Sequence, residues 1–263
     1  MLTRTDHDTA RDLAESAGQL LLQVRHRGFV DPAARKAAGD AESHRFLLDQ
    51  LGALCPDDAV LSEEAADDAA RLSTDRVWII DPLDGTREFS ELDRVDWAVH
   101  VALWERGELT AGAVGLPAEG LTLSTSEALV VPDPEEGPLR LAVSRSRPPA
   151  LVEELAARLD GVLVPMGSAG VKAMAVVRGQ ADAYVHGGGQ YEWDSAAPVA
   201  VARSAGLHTS RLDGSSLLYN QPDPWLPDLL ICRLELADRL LAALAELPSA
   251  LAPSRPNHGG VHV

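Results

Sequence analysis

Two carboxylates separated by Pro82-Leu83 stand where a short apolar run ends, in the stretch Val77-Trp78-Ile79-Ile80-Asp81-Pro82-Leu83-Asp84-Gly85-Thr86-Arg87-Glu88-Phe89. The apolar run reads as a buried strand, and Pro82, which has no N–H to give a ladder, is expected to end it at Asp81. Gly85 permits a tight backbone, after which Thr86 to Phe89 begins a helix. Asp81 and Asp84 thus stand at a strand-to-helix turn beside free backbone N–H groups. Carboxylates are hard oxygen ligands for Mg²⁺, and helix starts attract phosphate, so the chemistry suggested is metal plus phosphate. Two other readings compete. Asp-Pro and Asp-Gly pairs commonly do no more than form turns. The D-x-D-G-T signature of aspartyl-phosphate phosphatases makes its first Asp a nucleophile, but here two residues separate the acids, and that spacing suits two metal ligands better.

Other acids stand at comparable places. Ala59-Val60-Leu61 is a short strand running into Ser62-Glu63-Glu64. The glycines 187 to 189 read as a loop leading to Tyr191-Glu192-Trp193-Asp194, which opens an Ala-rich helix ending near Gly206. Asp40 lies at the expected start of a helix marked by Ala41, Leu47, Leu48, Leu51 and Leu54. Asp67 and Asp68 read as solvated loop. None of the eight histidines has metal-site spacing, and they read as surface or core residues.

The elements that must carry these acids follow from periodicity. Leu13, Ala14, Ala17, Leu20, Leu21 and Val24 mark a first helix, with Asp8 or Thr9 as its cap. A loop is expected from Gly28 to Gly39. Strands over 97–103, 109–116 and 121–125 suggest an antiparallel meander. The Pro- and acid-rich segment 132–138 is the candidate boundary between an N-terminal half, 1–131, and a C-terminal half, 132–263. Beyond it, strands over 139–143, 162–164, 181–185 and 229–232 alternate with helices over 149–159, 167–178 and 234–247. A frayed tail is expected from about residue 248.

Composition bounds the partners. A net charge of −17 over 263 residues argues against nucleic acid and anionic membranes. The sequence contains no transmembrane span and no signal peptide pattern, and Cys55 and Cys232 match no zinc or redox motif. Two free thiols in a reducing cytoplasm is the expectation.

Taken together, Leu61-Ser62-Glu63-Glu64, Asp81-Pro82-Leu83-Asp84-Gly85-Thr86, Gly167-Ser168-Ala169-Gly170-Val171-Lys172 with Asp182-Ala183-Tyr184, and Glu192-Trp193-Asp194-Ser195-Ala196-Ala197 resemble the inositol-monophosphatase-like phosphatases over roughly residues 8 to 232. Leu83 and the Arg87-Glu88-Phe89 run are similar to the 3′(2′),5′-bisphosphate nucleotidases of sulfate assimilation, with Arg87 replacing their Lys. Ala38-Gly39 replaces the Val-Thr pair usual before Asp40.

The resemblance implies an α+β fold, the layered α-β-α-β-α sandwich of the inositol monophosphatase and fructose-1,6-bisphosphatase type, with both halves sharing one site. It implies two to three Mg²⁺ ions and inhibition by Li⁺. Glu63, Asp81 and the Leu83 carbonyl would hold one ion, and Asp81, Asp84 and Asp194 a second. A third, weaker ion would sit near Glu63 and Asp40. Thr86, with Glu63 or Asp40, would activate water, and Gly85 and Thr86 would receive the phosphate. Further substrate contacts are expected from Arg145, Ser168, Gly170, Lys172, Glu192 and Asp194, while Trp193 reads as core packing. The implied reaction removes the 3′-phosphate of adenosine 3′,5′-bisphosphate, with 3′-phosphoadenylyl sulfate as a second substrate. The alternatives are an inositol 1-phosphate or fructose 1,6-bisphosphate phosphatase, and a nucleotide- or metal-sensing protein without catalysis. Relatives are often homodimers.

Overall fold

The computed structural model describes residues 4–146 and 148–247, so the expected tail from 248 lies outside the described residues. Helices α1 (Asp6–Arg25) and α2 (Pro32–Leu54) come first. Thr5, not Asp8 or Thr9, caps α1; its hydroxyl accepts from the Asp8 N–H while Asp8 bonds back to the Thr5 N–H, a reciprocal capping box. The first sheet holds β1 (Ala59–Ser62), β2 (Arg76–Asp84), β3 (Ala98–Glu105), β4 (Glu108–Leu116) and β5 (Leu121–Ser124), paired in that order. β1 and β2 are parallel and the rest is the expected antiparallel meander. Between β2 and β3 lies the five-residue helix α3 (Thr86–Ser90).

The second sheet is built from β6 (Arg140–Ser144), β7 (Val162–Met166), β8 (Ala183–Tyr191), β9 (His208–Ser210) and β10 (Trp225–Cys232), in the order β7-β6-β8-β10-β9. Its helices are α4 (Ala150–Leu159), α5 (Ala169–Val177), α6 (Glu192–Ser204) and α7 (Ala237–Ala245).

Alternation along the strands sorts these elements into layers. Trp78 and Ile80 of β2, with Val99, Val101 and Leu103 of β3, face Leu13, Ala17 and Leu21 of α1 and Leu47 and Leu51 of α2. The opposite face, with Val77, Ile79 and Ala102, packs on Met174 of α5 and Val199 of α6, which also meet Tyr184, Leu229 and Ile231 of the second sheet. Leu141, Val143, Val185 and Leu230 then cover α4 and α7. The result is the expected α-β-α-β-α sandwich, with α5 and α6 as its middle layer.

Several expectations are corrected. α2 begins at Pro32, capped by Asp31, so Asp40 sits inside the helix and Gly39 is no boundary. The glycine is there for contact: a Cβ on it would lie 2.7 Å from Phe89 Cε1 and 2.9 Å from Leu83 Cδ2. β2 continues past Pro82 to Asp84, with a shift in pairing with β3 between Asp81 and Asp84. That irregularity accommodates the missing N–H, and the Ser43 hydroxyl donates to the Pro82 carbonyl at 2.7 Å. Finally, the glycine run 187–189 is part of β8, because β10 starts at Trp225 and pairs along it through a second irregularity. Asp67 and Asp68 are not merely solvated either: Asp67 pairs with buried Arg71, and Asp68 caps the turn that carries it.

On an exposed helix face Gly39→Ala would stabilise by about 1 kcal/mol. Here it should destabilise by about 1–3 kcal/mol, because the methyl presses on Leu83 and Phe89. Denaturant melts of the two proteins check the sign.

Candidate active site

The turn that carries Asp81 and Asp84 is held from several sides. Asp81 is buried and accepts the Leu83 N–H at 3.0 Å. Gly85 has φ +82°, a conformation that favours glycine, and a Cβ there would crowd Ser168 and the Asp96 carbonyl. Beyond α3, the buried Arg25 guanidinium donates to the carbonyls of Glu91 (2.5 Å) and Arg94 (2.7 Å). It also lies over the rings of Phe89 and Trp97, which meet edge to face with centroids 5.0 Å apart. The end of the short helix is thereby anchored to α1.

Asp84 faces the start of α5. Its carboxylate accepts from the Ser168 hydroxyl, from Ala169 N–H at 3.1 Å and from Gly170 N–H at 2.7 Å. His100 Nε2 lies 3.1 Å away. Burial alone would raise the Asp84 pKa, but His100, Lys172 and Ser168 outweigh it and hold the group well below the usual carboxylate range. Gly170 must lack a side chain, since a Cβ would collide with His100 Nε2. His100 is the functional residue that sequence reasoning missed. It sits fully buried opposite Asp81 across the β2–β3 pair, and its Nδ1 lies 3.0 Å from the Trp193 carbonyl. Burial opposes its protonation, yet Asp84 raises its pKa overall. The available signal was a lone imidazole in the apolar run Ala98-Val99-His100-Val101-Ala102.

Ligand atoms of Asp81, Asp84 and Asp194 all lie within 4.8 Å of one another. Asp194 reaches this cluster from the first turn of α6, where its carboxylate also accepts the Tyr191 N–H at 2.6 Å. Burial, together with repulsion from Asp84, pushes Asp194 up to about 6. Asp81 is raised well above its ordinary value by burial and then by Glu63, Asp84 and Asp194. Glu63 is exposed along its side chain at the end of β1, but burial of its carboxyl end and the nearby Asp194 push it up to about 7. An all-oxygen donor set with this much mutual repulsion fits a hard divalent cation.

The other predicted residues divide. Glu63, Ser168 and Lys172 join Asp84 and Asp194 around a cavity of about 500 Å³, with Gly170 just behind at the α5 start. The buried Lys172 ammonium donates to the carbonyls of Gly167 (3.2 Å) and Ser168 (2.5 Å). Gly85 and Thr86 open α3, and Leu83 is buried beneath it. Asp40 is half-buried on α2, raised to about 6 by burial and by Glu64. Among the described residues, no hydrogen bond links Thr86 to Glu63 or Asp40.

Two predicted contacts do not come to the cavity. Arg145 turns to Glu88 at 2.8 Å and Glu91 at 3.3 Å, so its charge serves the acids around α3. Glu192 is buried with its carboxylate accepting from Asn220 N–H (2.7 Å) and Gln221 N–H (2.8 Å); it fixes the loop before β10 and does not line this cavity. Two residues of helix, a rotation of about 200°, separate its direction from that of Asp194 and point them apart. Trp193, read as packing, both packs against the central core and stacks on Tyr191 at 4.7 Å at the cavity wall.

This fold and site define a class. Residues 4–249 match the inositol monophosphatase family, and the chain belongs to that metal-dependent phosphatase family. It is 55% identical over 239 residues to a 3′-phosphoadenosine 5′-phosphate phosphatase of Mycobacterium tuberculosis, covering 88% of this chain and 90% of the relative. It is 30% identical over 236 residues to the 3′(2′),5′-bisphosphate nucleotidase CysQ of Escherichia coli, covering 83% and 96%. The crystal structure of CysQ from Bacteroides thetaiotaomicron superposes with a TM-score of 0.79 at 24% identity, covering 88% and 97%.

Acids whose folded pKa is raised are favourable to the native state while protonated. Between about pH 4 and 7 the unfolded chain has already lost these protons, whereas Asp194, Glu63 and Asp81 still hold theirs in the fold. This cluster's contribution therefore falls as pH rises through that window. A divalent cation that replaces the protons should raise Tm more at pH 8 than at pH 5.5, which differential scanning fluorimetry with and without Mg²⁺ measures. Equal shifts at the two pH values would contradict this account.

Proposed function

We propose that this chain is a Mg²⁺-dependent phosphatase that removes the 3′-phosphate of adenosine 3′,5′-bisphosphate, giving AMP and phosphate, and that it also acts on 3′-phosphoadenylyl sulfate in sulfur assimilation. The observation that carries the reading is the meeting of Asp81, Asp84 and Asp194, with Asp84 and Asp194 lining a cavity that Tyr191, Trp193 and Trp225 also line. The acids suit metal-assisted phosphate chemistry, and the rings suit a nucleobase. The activities named for the M. tuberculosis and E. coli relatives support the same choice.

Glu63, Asp81 and the Leu83 carbonyl are assigned to one Mg²⁺, Asp81, Asp84 and Asp194 to a second, and Asp40 with Glu63 to a third, weaker one. Bound Mg²⁺ supplies positive charge against the phosphate dianion and makes water more acidic. The chain's own residues do the rest. Thr86 orients the attacking water through its hydroxyl. Glu63 or Asp40 takes the proton. The N–H groups of Gly85 and Thr86 bind phosphate oxygens. Ser168, Gly170 and His100 keep Asp84 ionised and aimed, while Lys172 ties the start of α5 in place. Asp194 comes from the C-terminal half and the other acids from the N-terminal half, so the halves 1–131 and 132–263 act as one catalytic unit. Arg145 and Glu192 are assigned to positioning α3 and the loop before β10. A homodimer in the cytoplasm is the expected state, in keeping with two free cysteines.

Activity should require Mg²⁺, vanish with excess chelator and fall with added Li⁺. Adenosine 3′,5′-bisphosphate should be hydrolysed with at least about tenfold higher kcat/KM than inositol 1-phosphate or fructose 1,6-bisphosphate, a difference of roughly 1.4 kcal/mol in transition-state binding. AMP should be a poor substrate. Equal efficiencies would reject the nucleotidase reading while leaving the metal-phosphatase chemistry standing, and no phosphate release from any of them would favour a sensor. Asp84→Asn keeps the shape but removes a shared charge, and should lower kcat by on the order of a hundredfold or more with unchanged far-UV circular dichroism.

A further inference from the structure

Gln190 has no role in the chemistry above, yet its surroundings are unusual. It is the penultimate residue of β8, paired across the ladder with Leu226. Only 7% of it is exposed, and it lines the same cavity as Asp84 and Asp194. Both polar atoms of its amide, Nε2 and Oε1, are buried and have no hydrogen-bond partner among the described residues. The polar groups beside it in sequence are already engaged: His186 Nε2 lies 3.0 Å from the Gly189 carbonyl, and the Tyr191 N–H donates to Asp194. A buried amide with neither its donor nor its acceptor satisfied is costly, and such groups in native folds call for an explanation.

Position supplies one. Four residues of chain separate Gln190 from Asp194, so their Cα atoms are at most about 14 Å apart. A ligand whose phosphate sits at the acids can therefore present its other end to this amide. Tyr191, Trp193 and Trp225 line the same cavity. A flat ring can stack there, and a primary amide is the side chain that pairs two-pronged with an adenine edge, donating to a ring nitrogen and accepting from the exocyclic amino group.

We infer that Gln190 selects the base: its amide reads the ring nitrogen and 6-amino group of adenine while the cavity aromatics stack against the ring. This rests on the nucleotidase reading and deepens it by assigning specificity to one side chain. Because the amide lies beneath the cavity wall, the base reaches it through side-chain adjustment of the kind that commonly accompanies binding. The selection does not touch the reacting phosphate, so it is separable from catalysis.

The test compares adenosine 3′,5′-bisphosphate with purine riboside 3′,5′-bisphosphate, which lacks only the 6-amino group, and with inositol 1-phosphate. The wild-type protein should favour the adenosine compound over the purine riboside by at least about tenfold in kcat/KM. Gln190→Met fills the space without polar atoms and should bring that ratio to within about twofold, leaving inositol 1-phosphate hydrolysis unchanged. A wild-type protein indifferent to the 6-amino group, or a Gln190→Met protein that keeps the preference, overturns the assignment. Should Gln190→Met fail to fold by circular dichroism, Gln190→Asn, which withdraws the amide by one methylene, should lose the preference in its place, and its retention would likewise overturn the inference. Failure of the nucleotidase reading itself looks different: wild-type protein would then hydrolyse inositol 1-phosphate as well as either bisphosphate.

Discussion

Mutual repulsion among carboxylates is the constraint on which the rest of this structure depends. Asp81, Asp84 and Asp194 are brought within 4.8 Å, with Glu63 close enough to be raised by them. Burying charges together is costly unless they are neutralised, so the protein must hold the cluster open against its own electrostatics until cations arrive. The molecule treats its members unequally. Asp84 is surrounded by donors from α5 and by His100, and stays ionised. Asp81 and Asp194 each accept one backbone N–H, but burial and the neighbouring carboxylates outweigh it, and their pKa values rise. Asp84 is thus the acid whose ionised form the fold favours, and its neighbours are the ones it pushes toward protonation.

That division explains several otherwise unrelated features. Gly170 admits the imidazole that faces Asp84, Gly85 admits the approach of Ser168, and Gly39 admits Leu83 and Phe89 against α2. Each is a close contact between elements from different layers, and each converges on the segment 81–89. Arg25 performs the corresponding task at the far end of α3, where its guanidinium donates to the Glu91 and Arg94 carbonyls just past the short helix. The middle layer formed by α5 and α6 carries both the donors to Asp84 and the Asp194 carboxylate, so packing of the second sheet against the first assembles the site.

The cavity combines two chemistries, and this mixture suits a nucleotide better than a cyclitol. Acids and Lys172 share its lining with aromatic rings and an unsatisfied glutamine. A substrate that engages both the acids and the rings can use binding at its base to position the reacting phosphate.

Much of this was written locally. The buried strand that carries Asp81, the Gly85-Thr86 helix start, the meander and the strand-end and helix-start positions of Glu63 and Asp194 follow from alternation, turn chemistry and motif spacing, all of which are short-range. The layered sandwich followed from resemblance across several motifs. What local reasoning placed wrongly has one cause: it depends on neighbours distant in sequence. Gly39 reads as a helix boundary until Phe89 and Leu83 are known to press on it. The glycines 187 to 189 read as a loop until β10 pairs with them. Arg145 and Glu192 are polar residues beside the motifs, and only the fold shows that Glu88 and the loop before β10 claim them. His100 and Gln190 carry no motif at all. Their significance comes from what faces them, Asp84 across two strands and an enclosed cavity without a partner, and a one-dimensional pattern holds no record of either. The sequence alone thus determined which carboxylates stand ready for metal and phosphate, because that chemistry is set by residue type and turn. Tertiary structure decided which of them is held ionised and which residues line the cavity, because burial and facing partners exist only once the layers are packed.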